Sequence, residues 1–164
     1  MGIHLVNGDI FTTGAQYIAH QTNSKTKGSA AGIAKLIFEK YPYADTYKER
    51  VEDSIPGTID VFGDCLFYRG IINMNAQYYP GKVNVNAYSY DTAKNRKMWF
   101  HQCLMLISEI PNFKSIAFPD HIACNLAGGD WEWYENKLNK FADYVEKKCN
   151  AIVIIYKNDQ FRQI

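Results

Sequence analysis

Short apolar runs alternate with amphipathic segments along the first third of the chain. In residues 32–41 the apolar side chains of Ile33, Leu36 and Ile37 recur at helical spacing, and Tyr41 continues the same face. Pro42 interrupts this pattern, after which the chain is expected to turn helical again. The predicted elements are strands over residues 3–6 and 17–20 and helices over residues 32–41 and 43–51.

The rest of the chain predicts further strands and two long helices. Residues 59–68 alternate around Gly63 and Asp64, which indicates a hairpin of two short strands. The other elements are strands over residues 70–75, 115–118 and 151–156 and helices over residues 92–110 and from Asp130 to about Lys148. The first of these helices is expected to bury Trp99, Cys103, Leu106, Ile107 and Ile110.

Several of the predicted strands are continuously apolar instead of alternating. Such runs are typical of strands buried on both faces, in sheets that helices cover from both sides. We therefore predict an α/β fold, a three-layer α/β/α sandwich with a mixed, mostly parallel central sheet. A length of 164 residues with 47% hydrophobic residues suits one core, so we predict a single domain over residues 1–164.

Charge and hydropathy disfavour two classes of partner. The chain carries 18 Lys and Arg against 17 Asp and Glu, so it lacks the basic excess that duplex nucleic acid or an anionic membrane attracts. The longest apolar runs, residues 103–107 and 151–156, fall well short of the roughly 20 residues that a spanning helix needs. We expect no membrane segment, no signal peptide and no duplex nucleic acid partner.

The cysteines stand singly, with no C-x-x-C pair. They are Cys65, Cys103, Cys124 and Cys149. Isolated thiols of this kind favour a cytoplasmic protein, and no His and Cys spacing matches a zinc site. The glycine-rich phosphate motifs G-x-x-x-x-G-K-[ST] and G-x-G-x-x-G are absent as well. We predict neither a metal nor a cofactor.

Four segments follow predicted strands, where ligands bind in sheets of this kind. They are residues 8–10, 19–34, 73–77 and 116–131. In the first, the Asp9 carboxylate can accept a hydrogen bond from an exocyclic amine, or the segment is a plain turn. In the second, backbone N–H groups can hold a phosphate while Asn23 bonds a sugar hydroxyl. The third segment carries two amides and a Gln, which turn chemistry explains equally well.

The fourth segment ends in two glycines before a helix. Gly128 and Gly129 permit the close backbone approach that a pyrophosphate requires. Asp130 follows them, where it can either face a ligand or cap the helix. Backbone groups that could hold a phosphate are thus expected in the second and fourth segments.

In combination the four segments resemble the macrodomain family of ADP-ribose-binding α/β/α modules, in the same order and over nearly the whole chain. Residues 8–10 match the family's adenine-binding G-D-I/L, and residues 19–34 match its first ribose and phosphate loop. Residues 119–131 resemble P-x-x-I-G-C-G-L-A-G-G-D-W, and residues 73–77 resemble N-L-x-x-Q. Both motifs belong to the branch with ADP-ribose-1″-phosphate phosphatases and terminal ADP-ribose glycohydrolases.

The resemblance implies where each part of ADP-ribose binds. Asp9 would accept a hydrogen bond from the adenine N6 amine, and Tyr156, or alternatively Phe161, would stack on the ring unless it is simply core. The implied adenine residues are Gly8, Asp9, Ile10 and Tyr156. The implied phosphate and ribose residues are Asn23, Gly28, Gly32 and Ile33 in the first loop and Ile122, Ala123, Asn125, Leu126, Ala127, Gly128 and Gly129 in the second.

The chain departs from the family at positions that matter for catalysis. His20 stands where the N-A-A-N branch has its first Asn, and Ala34 stands where that branch has its catalytic Asp. The glycohydrolase-like proteins use a Lys within the segment matching residues 73–77 and an Asp near Ala127, and this chain has neither. Ala123 and Asn125 replace two glycines of the family's second loop, so the chemical identity of the substrate's distal group is left open.

Two functions remain open. The first is an enzyme acting on the distal ribose, an ADP-ribose-1″-phosphate phosphatase with His20 and Asp130 as acid–base groups and Asn23 and Asn73 as orienting residues. His20 can equally be a strand-end residue that the backbone satisfies. The alternative is a non-catalytic module that binds ADP-ribose, a related nucleotide signal or a mono-ADP-ribosylated protein. Loss of both catalytic Asp positions favours this alternative.

Overall fold

The computed structural model describes residues 2–83 and 90–158. Strands and helices alternate along these residues, with short 3₁₀ turns at Ile10–Thr12 and Pro42–Ala44. The strands are β1 (His4–Asn7), β2 (Tyr17–Asn23), β3 (Thr58–Phe62), β4 (Gly70–Gln77), β5 (Ser115–Pro119) and β6 (Ile152–Lys157). The helices are α1 (Gly32–Lys40), α2 (Thr46–Glu49), α3 (Ala93–Ser108) and α4 (Trp131–Cys149).

The strands form one mixed sheet in the order β1-β6-β5-β2-β4-β3. Each neighbouring pair from β1 to β4 is parallel, and β3 pairs antiparallel with β4 at the edge. The predicted mixed, mostly parallel sheet is confirmed. Because the parallel strands point the same way, the segments that follow β2, β4 and β5 meet at one edge of the sheet.

Helices cover both faces of the sheet. Consecutive residues of β2 point to opposite faces, so Ile18 belongs to one core cluster and Ala19 to the other. The first cluster contains Ile37 and Phe38 of α1. The second contains buried side chains of α3 and α4, such as Leu104 and Leu138. This arrangement confirms the α/β/α architecture.

Two local predictions are wrong. Residues 63–69 form a turn instead of a second strand, because the Asp64 carboxylate accepts hydrogen bonds at 2.9–3.1 Å from the backbone N–H groups of Leu66, Phe67 and Tyr68. The antiparallel partner of β3 is β4. In the segment 43–51 only Thr46–Glu49 is α-helical, since Pro42 starts a 3₁₀ turn and Asp45 caps the helix that follows.

The predicted burial of one residue is also wrong. Leu106 is 43% exposed, whereas Trp99, Cys103 and Ile107 are buried as expected. The buried face of α3 includes the polar side chain of Arg96, which the apolar pattern did not mark. Within residues 2–83 and 90–158, none of the helices combines the length and hydropathy needed to cross a bilayer.

Candidate functional site

A cavity of about 320 Å³ opens at the edge of the sheet where β2, β4 and β5 end. Its walls are the loop after β2 with the first turn of α1, the loop after β4, and the loop after β5. We call residues 24–31 the first loop and residues 120–130 the second loop. The implied binding residues that line the cavity are Asn23, Gly32, Ile33, Ile122, Ala123, Asn125, Leu126 and Ala127.

The amino terminus of α1 forms one wall of the cavity. The first N–H groups of a helix have no partner within the helix and carry partial positive charge. Ala31 occupies the N-cap position with extended backbone, and it offers no side-chain hydrogen bond to those groups. Ala31, Gly32, Ile33 and Ala34 all line the cavity, so the uncapped helix end lies at its wall. Such an end is suited to an anion.

Asn23 shapes the first loop from within. Its side-chain Oδ1 accepts hydrogen bonds from the backbone N–H groups of Lys25 and Thr26 at 3.0 and 2.7 Å. Its Nδ2 donates to the Tyr47 hydroxyl at 3.1 Å. Arg50 donates to the backbone oxygens of Asn23 and Thr26 at 2.8 and 3.1 Å. These bonds fix the turn that leads from β2 to α1.

The second loop has an unusual backbone, because two residues other than glycine are left-handed and one glycine allows a close contact. His121 and Ala123 have φ values of 58° and 68°, a region that residues other than glycine rarely adopt. A Cβ atom at Gly129 would lie 2.6 Å from the Ala123 carbonyl oxygen and 2.8 Å from the Tyr134 ring. Gly129 therefore allows the loop to fold against α4, although neither it nor Gly128 is among the described residues that line the cavity.

A buried ion pair joins the second loop to the loop after β4. Arg96 of α3 binds the Asp91 carboxylate through Nε and Nη2 at 2.7 and 2.8 Å. The same guanidinium donates to the backbone oxygens of Tyr79, Gly81 and Ala127 at 3.2, 2.8 and 3.4 Å. Two walls of the cavity are thereby held by one side chain.

The described cavity wall contains four titratable side chains: Tyr47, Asp120, His121 and Cys124. Burial raises the pKa of Tyr47 to about 12, against the opposing effect of its bond with Asn23. Burial, followed by the charges of Asp130 and Asp120, raises the pKa of Cys124 to about 12. Both groups are therefore neutral at physiological pH. Cys124 is not a thiolate nucleophile.

His20 and Asn73 lie in the interior instead of at the cavity. His20 is fully buried, its Nε2 is 2.6 Å from Oδ1 of Asn73, and its ring packs edge-on against Phe38. The Asn73 amide also donates to the Ala44 carbonyl at 2.8 Å. This corrects the expectation that both side chains face the ligand. Alternation along β2 explains it, because Gln21, the next residue, lines the cavity.

Burial makes His20 a source of acid sensitivity. Desolvation lowers its pKa from 6.5 to about 4, although the bond with Asn73 works in the opposite direction. Between these two values the unfolded chain binds the proton and the native chain does not, so stability falls as pH falls. We expect a loss of about 3 kcal/mol across this range, from 1.36 kcal/mol for each unit.

Chemical denaturation of the parent and of His20→Asn at several pH values checks this prediction. The variant should lose less stability on acidification than the parent, whatever its stability at neutral pH. Identical pH slopes for the two proteins would show that His20 titrates normally in the native state.

Asp130 and the implied adenine residues also lie outside the described cavity wall. Asp130 is exposed and caps α4 by accepting from the Glu132 backbone N–H at 3.1 Å, which is the structural role left open for it. Asp9 is exposed and accepts from the Phe11 backbone N–H at 2.9 Å. Asp9 directly follows β1, and β6 lies between β1 and β5, the strand after which the second loop begins.

The remaining implied residues serve the backbone or the core. Ile10 and Tyr156 are buried in the cluster on the α1 side of the sheet, so Tyr156 has its packing role. The Gly8 N–H donates to the Lys157 carbonyl at 2.9 Å, and the Gly28 N–H donates to the Tyr47 carbonyl at 2.8 Å. Phe161, the alternative stacking residue, lies outside the described residues.

The lining side chains that sequence reasoning did not assign to the site include Gln21, Tyr47, Gln77, Asp120 and His121. Gln21 donates through Nε2 to Oε1 of Gln77 at 2.7 Å, and Oε1 of Gln21 is buried without a hydrogen-bond partner among the described residues. The period-two pattern of β2 could have identified Gln21 and Asn23 as residues on a common face. The register shift between Thr22 and Asn23, which pairs Asn23 with Gln77, carries no such signal.

The described cavity wall contains no Lys or Arg side chain. Lys25 and Lys27 of the first loop pair instead with Asp53 at 3.4 and 3.0 Å. Hydrogen bonds from Tyr78 and Lys27 lower the pKa of Asp53 to about 2. Across the described ranges, no three His, Cys, Asp or Glu side chains are grouped as a metal site would require.

The structure is similar to solved macrodomains over nearly its whole length. The macrodomain of Thermus aquaticus DarG matches with a TM-score of 0.65 and 18% identity, over 95% of this chain and 98% of that one. An Oceanobacillus iheyensis macrodomain mutant with ADPR matches with a TM-score of 0.56 and 14% identity, over 97% and 87% of the two chains. The Trypanosoma brucei macrodomain in complex with ADP-ribose matches with 0.55 and 13%, over 99% and 66%. Scans against protein-family models and curated proteins gave no match.

Proposed function

Because the chain has the macrodomain fold, we propose that it binds ADP-ribose, free or attached to a protein, in the cavity at the ends of β2, β4 and β5. The observation that carries this proposal is the uncapped amino terminus of α1, which shares the cavity with the second loop. Two of the similar structures are named as containing ADPR or ADP-ribose, which supports the choice of ligand.

Recognition of the diphosphate rests on backbone groups. The N–H groups at Gly32, Ile33 and Ala34 belong to the first turn of α1 and adjoin the cavity. Oriented N–H dipoles of this kind form charge-assisted hydrogen bonds with phosphate oxygens. The second loop forms the opposing wall, so a diphosphate can lie between the two segments. No Lys or Arg side chain lines the described wall, so the partial positive charge of this helix end is available to the ligand there.

Recognition of a ribose hydroxyl is assigned to Gln21. A buried acceptor without a partner costs free energy, which a hydroxyl donor from a ligand would recover. Oε1 of Gln21 is such an atom, and Gln21 lines the cavity. Asn23, the residue implied by the family resemblance, already uses both ends of its amide, Oδ1 toward the first loop and Nδ2 toward Tyr47 of α2. We therefore assign Asn23 to shaping the site and Gln21 to contacting the sugar.

The adenine end remains assigned to Asp9. Its carboxylate is exposed at the edge of the sheet that carries the cavity, and one oxygen is held by the Phe11 backbone N–H. A ligand that extends from the cavity past β6 reaches this position, because neighbouring strands are spaced about 4.8 Å apart. We assign none of the described residues to stack on the adenine ring, because Tyr156 is part of the core.

A binding module fits the cavity better than the phosphatase expected from the motifs. His20 and Asn73 are enclosed in the core, Asp130 caps α4, and Cys124 is a protonated thiol. His20, Asn73 and Asp130 are not in the described cavity wall, and Cys124, which is, supplies no thiolate. The second candidate, a hydrolase of a distal-ribose derivative, draws support from Asp120 and His121, which do line the cavity. Release of phosphate from ADP-ribose-1″-phosphate by the parent, lost in His121→Asn, would establish that candidate.

Calorimetric titration of the protein with ADP-ribose and AMP tests the proposal. ADP-ribose should bind at least about tenfold more tightly, because AMP lacks the second phosphate and distal ribose, and one charge-assisted hydrogen bond is worth about 1.5–3 kcal/mol. Ribose 5-phosphate is the matched control without adenine. No heat with ADP-ribose at millimolar concentration would remove the proposed function, and equal affinities for ADP-ribose and AMP would place the diphosphate outside the cavity.

A further inference from the structure

Asp120 and His121 form a polar pair in the cavity wall, directly after β5. Nδ1 of His121 is buried and lies 3.0 Å from Oδ2 of Asp120. The Asp120 side chain is 4% exposed, whereas that of His121 is 32% exposed. Because Nδ1 is buried, the exposed part of the His121 side chain lies away from Asp120.

Two further features fix the imidazole. The ring stacks on the indole of Trp131, with centroids 4.8 Å apart and an interplanar angle of 21°. The left-handed backbone at His121 directs the side chain away from the path of an extended strand. With Asp120 at one edge and Trp131 on one face, the ring can rotate little. The imidazole is therefore held in one orientation in the wall of the cavity.

The charge of this pair decides how well the cavity accepts an anion. With neutral imidazole the pair carries the negative charge of the Asp120 carboxylate, which repels a diphosphate. With protonated imidazole the pair is neutral overall, and the imidazolium N–H can donate a charge-assisted hydrogen bond to a phosphate oxygen. No lysine or arginine in the described wall can supply that positive charge instead.

We propose that His121 is the cationic contact for the diphosphate and takes up a proton when the ligand binds. This inference rests on the proposed function and extends it, because it assigns a ligand contact outside the family motif and couples affinity to pH. Asp120 is then a positioning residue that holds the imidazole and stabilises its protonated form.

Three other titratable groups lie near His121: Cys124, Asp130 and Asp120. Cys124, whose backbone N–H bonds to the His121 carbonyl at 2.9 Å, has its pKa raised to about 12 by burial and by Asp130 and Asp120. From α4, Trp131 contacts the ring and does not titrate, and Asp130 before it is the exposed cap of that helix. Directly after β5, Asp120 is the charged group beside Nδ1.

Calorimetry with ADP-ribose tests the proposal on the full chain. Its two phosphates stay ionised over the range used, unlike the terminal phosphate of ADP, so the ligand itself takes up no proton. We expect Kd to fall about tenfold between about pH 8 and about pH 6. Titrations in two buffers of different ionisation enthalpy should report uptake of up to about one proton for each ligand bound.

His121→Asn is the test variant, because Asn is neutral and tolerates the left-handed backbone. Its Kd should be independent of pH and close to the parent value at high pH, with no proton uptake. His4→Asn is the matched control, since His4 is exposed and lies at the start of β1, whereas the cavity opens where the strands end. It should retain the pH dependence of the parent.

Three outcomes separate the claims. Proton uptake that persists in His121→Asn, or binding by the parent without uptake, overturns this inference and leaves the proposed function intact. No binding of ADP-ribose at any pH removes both. If His121→Asn fails to fold, NMR titration of the parent decides: the His121 imidazole should titrate at higher pH with ADP-ribose bound, and an unchanged midpoint contradicts the proposal.

Discussion

Replacing Ala31 by Asp should stabilise the protein and at the same time abolish most ADP-ribose binding. Ala31 is exposed, has the extended backbone of an N-cap residue, and gives α1 no side-chain cap. An Asp there would accept hydrogen bonds from the first N–H groups of α1 and add about 1 kcal/mol to the free energy of unfolding. The same carboxylate would occupy and repel the diphosphate position, weakening binding about 100-fold.

Ala31→Asn separates the two effects. Its neutral amide also caps the helix, so the gain in thermal stability should be similar, while the loss of affinity should be smaller because no charge opposes the ligand. Thermal unfolding and calorimetric titration of the parent and both variants provide the comparison. An Ala31→Asp protein that binds ADP-ribose like the parent would exclude the amino terminus of α1 as the phosphate site.

Of the substitutions proposed for this protein, Arg96→Met should lower the free energy of unfolding most. The substitution leaves the buried Asp91 carboxylate without its bidentate partner and removes donors from three backbone carbonyls of the cavity wall. Burial is the largest single effect on the pKa of Asp91 and raises it, but the hydrogen bonds and charge of Arg96 together with the backbone N–H groups of Tyr79 and Tyr78 outweigh burial and lower the pKa. Loss of one member of such a pair costs about 3–5 kcal/mol. Denaturation with urea measures this change.

Two variants control for this effect. Lys148 forms a 2.6 Å ion pair with Glu109 at the surface, and Lys148→Met should lose much less stability because solvent screens that pair. The double variant Asp91→Asn and Arg96→Met should recover part of the loss, since no buried charge is then left unpaired. Equal losses in Arg96→Met and Lys148→Met would contradict the structural role given to the buried pair.

The order of elements and the layered architecture could be predicted because they depend on periodicity. The continuous apolar run of β6 and the helical repeat of α1 both appear directly in the sequence. Periodicity fails where local polar bonds decide the conformation. Residues 63–69 have side chains typical of a strand, but three hydrogen bonds to the Asp64 carboxylate fold them into a turn. Arg96 is buried because it forms an ion pair with Asp91.

The candidate site could be predicted as two loops but not as a set of side chains. The motif-like segments marked the first turn of α1 and residues 122–127, and both line the same cavity. They favoured His20 because of its chemistry, although it is Gln21 that lines the cavity. His121 and Asp120 were passed over because their pairing depends on a left-handed residue, and no sequence pattern specifies that conformation.

Titration of isotope-labelled protein with ADP-ribose, followed amide by amide by NMR, tests the central claim most directly. We expect the largest shift changes at the backbone N–H groups of Gly32, Ile33 and Ala34 and in residues 122–127 of the second loop, with AMP producing only part of the pattern. Absence of any change at millimolar ligand would contradict the account. So would changes confined to the separate groove at Thr46, Glu49 and Asp60, which lies outside the proposed site.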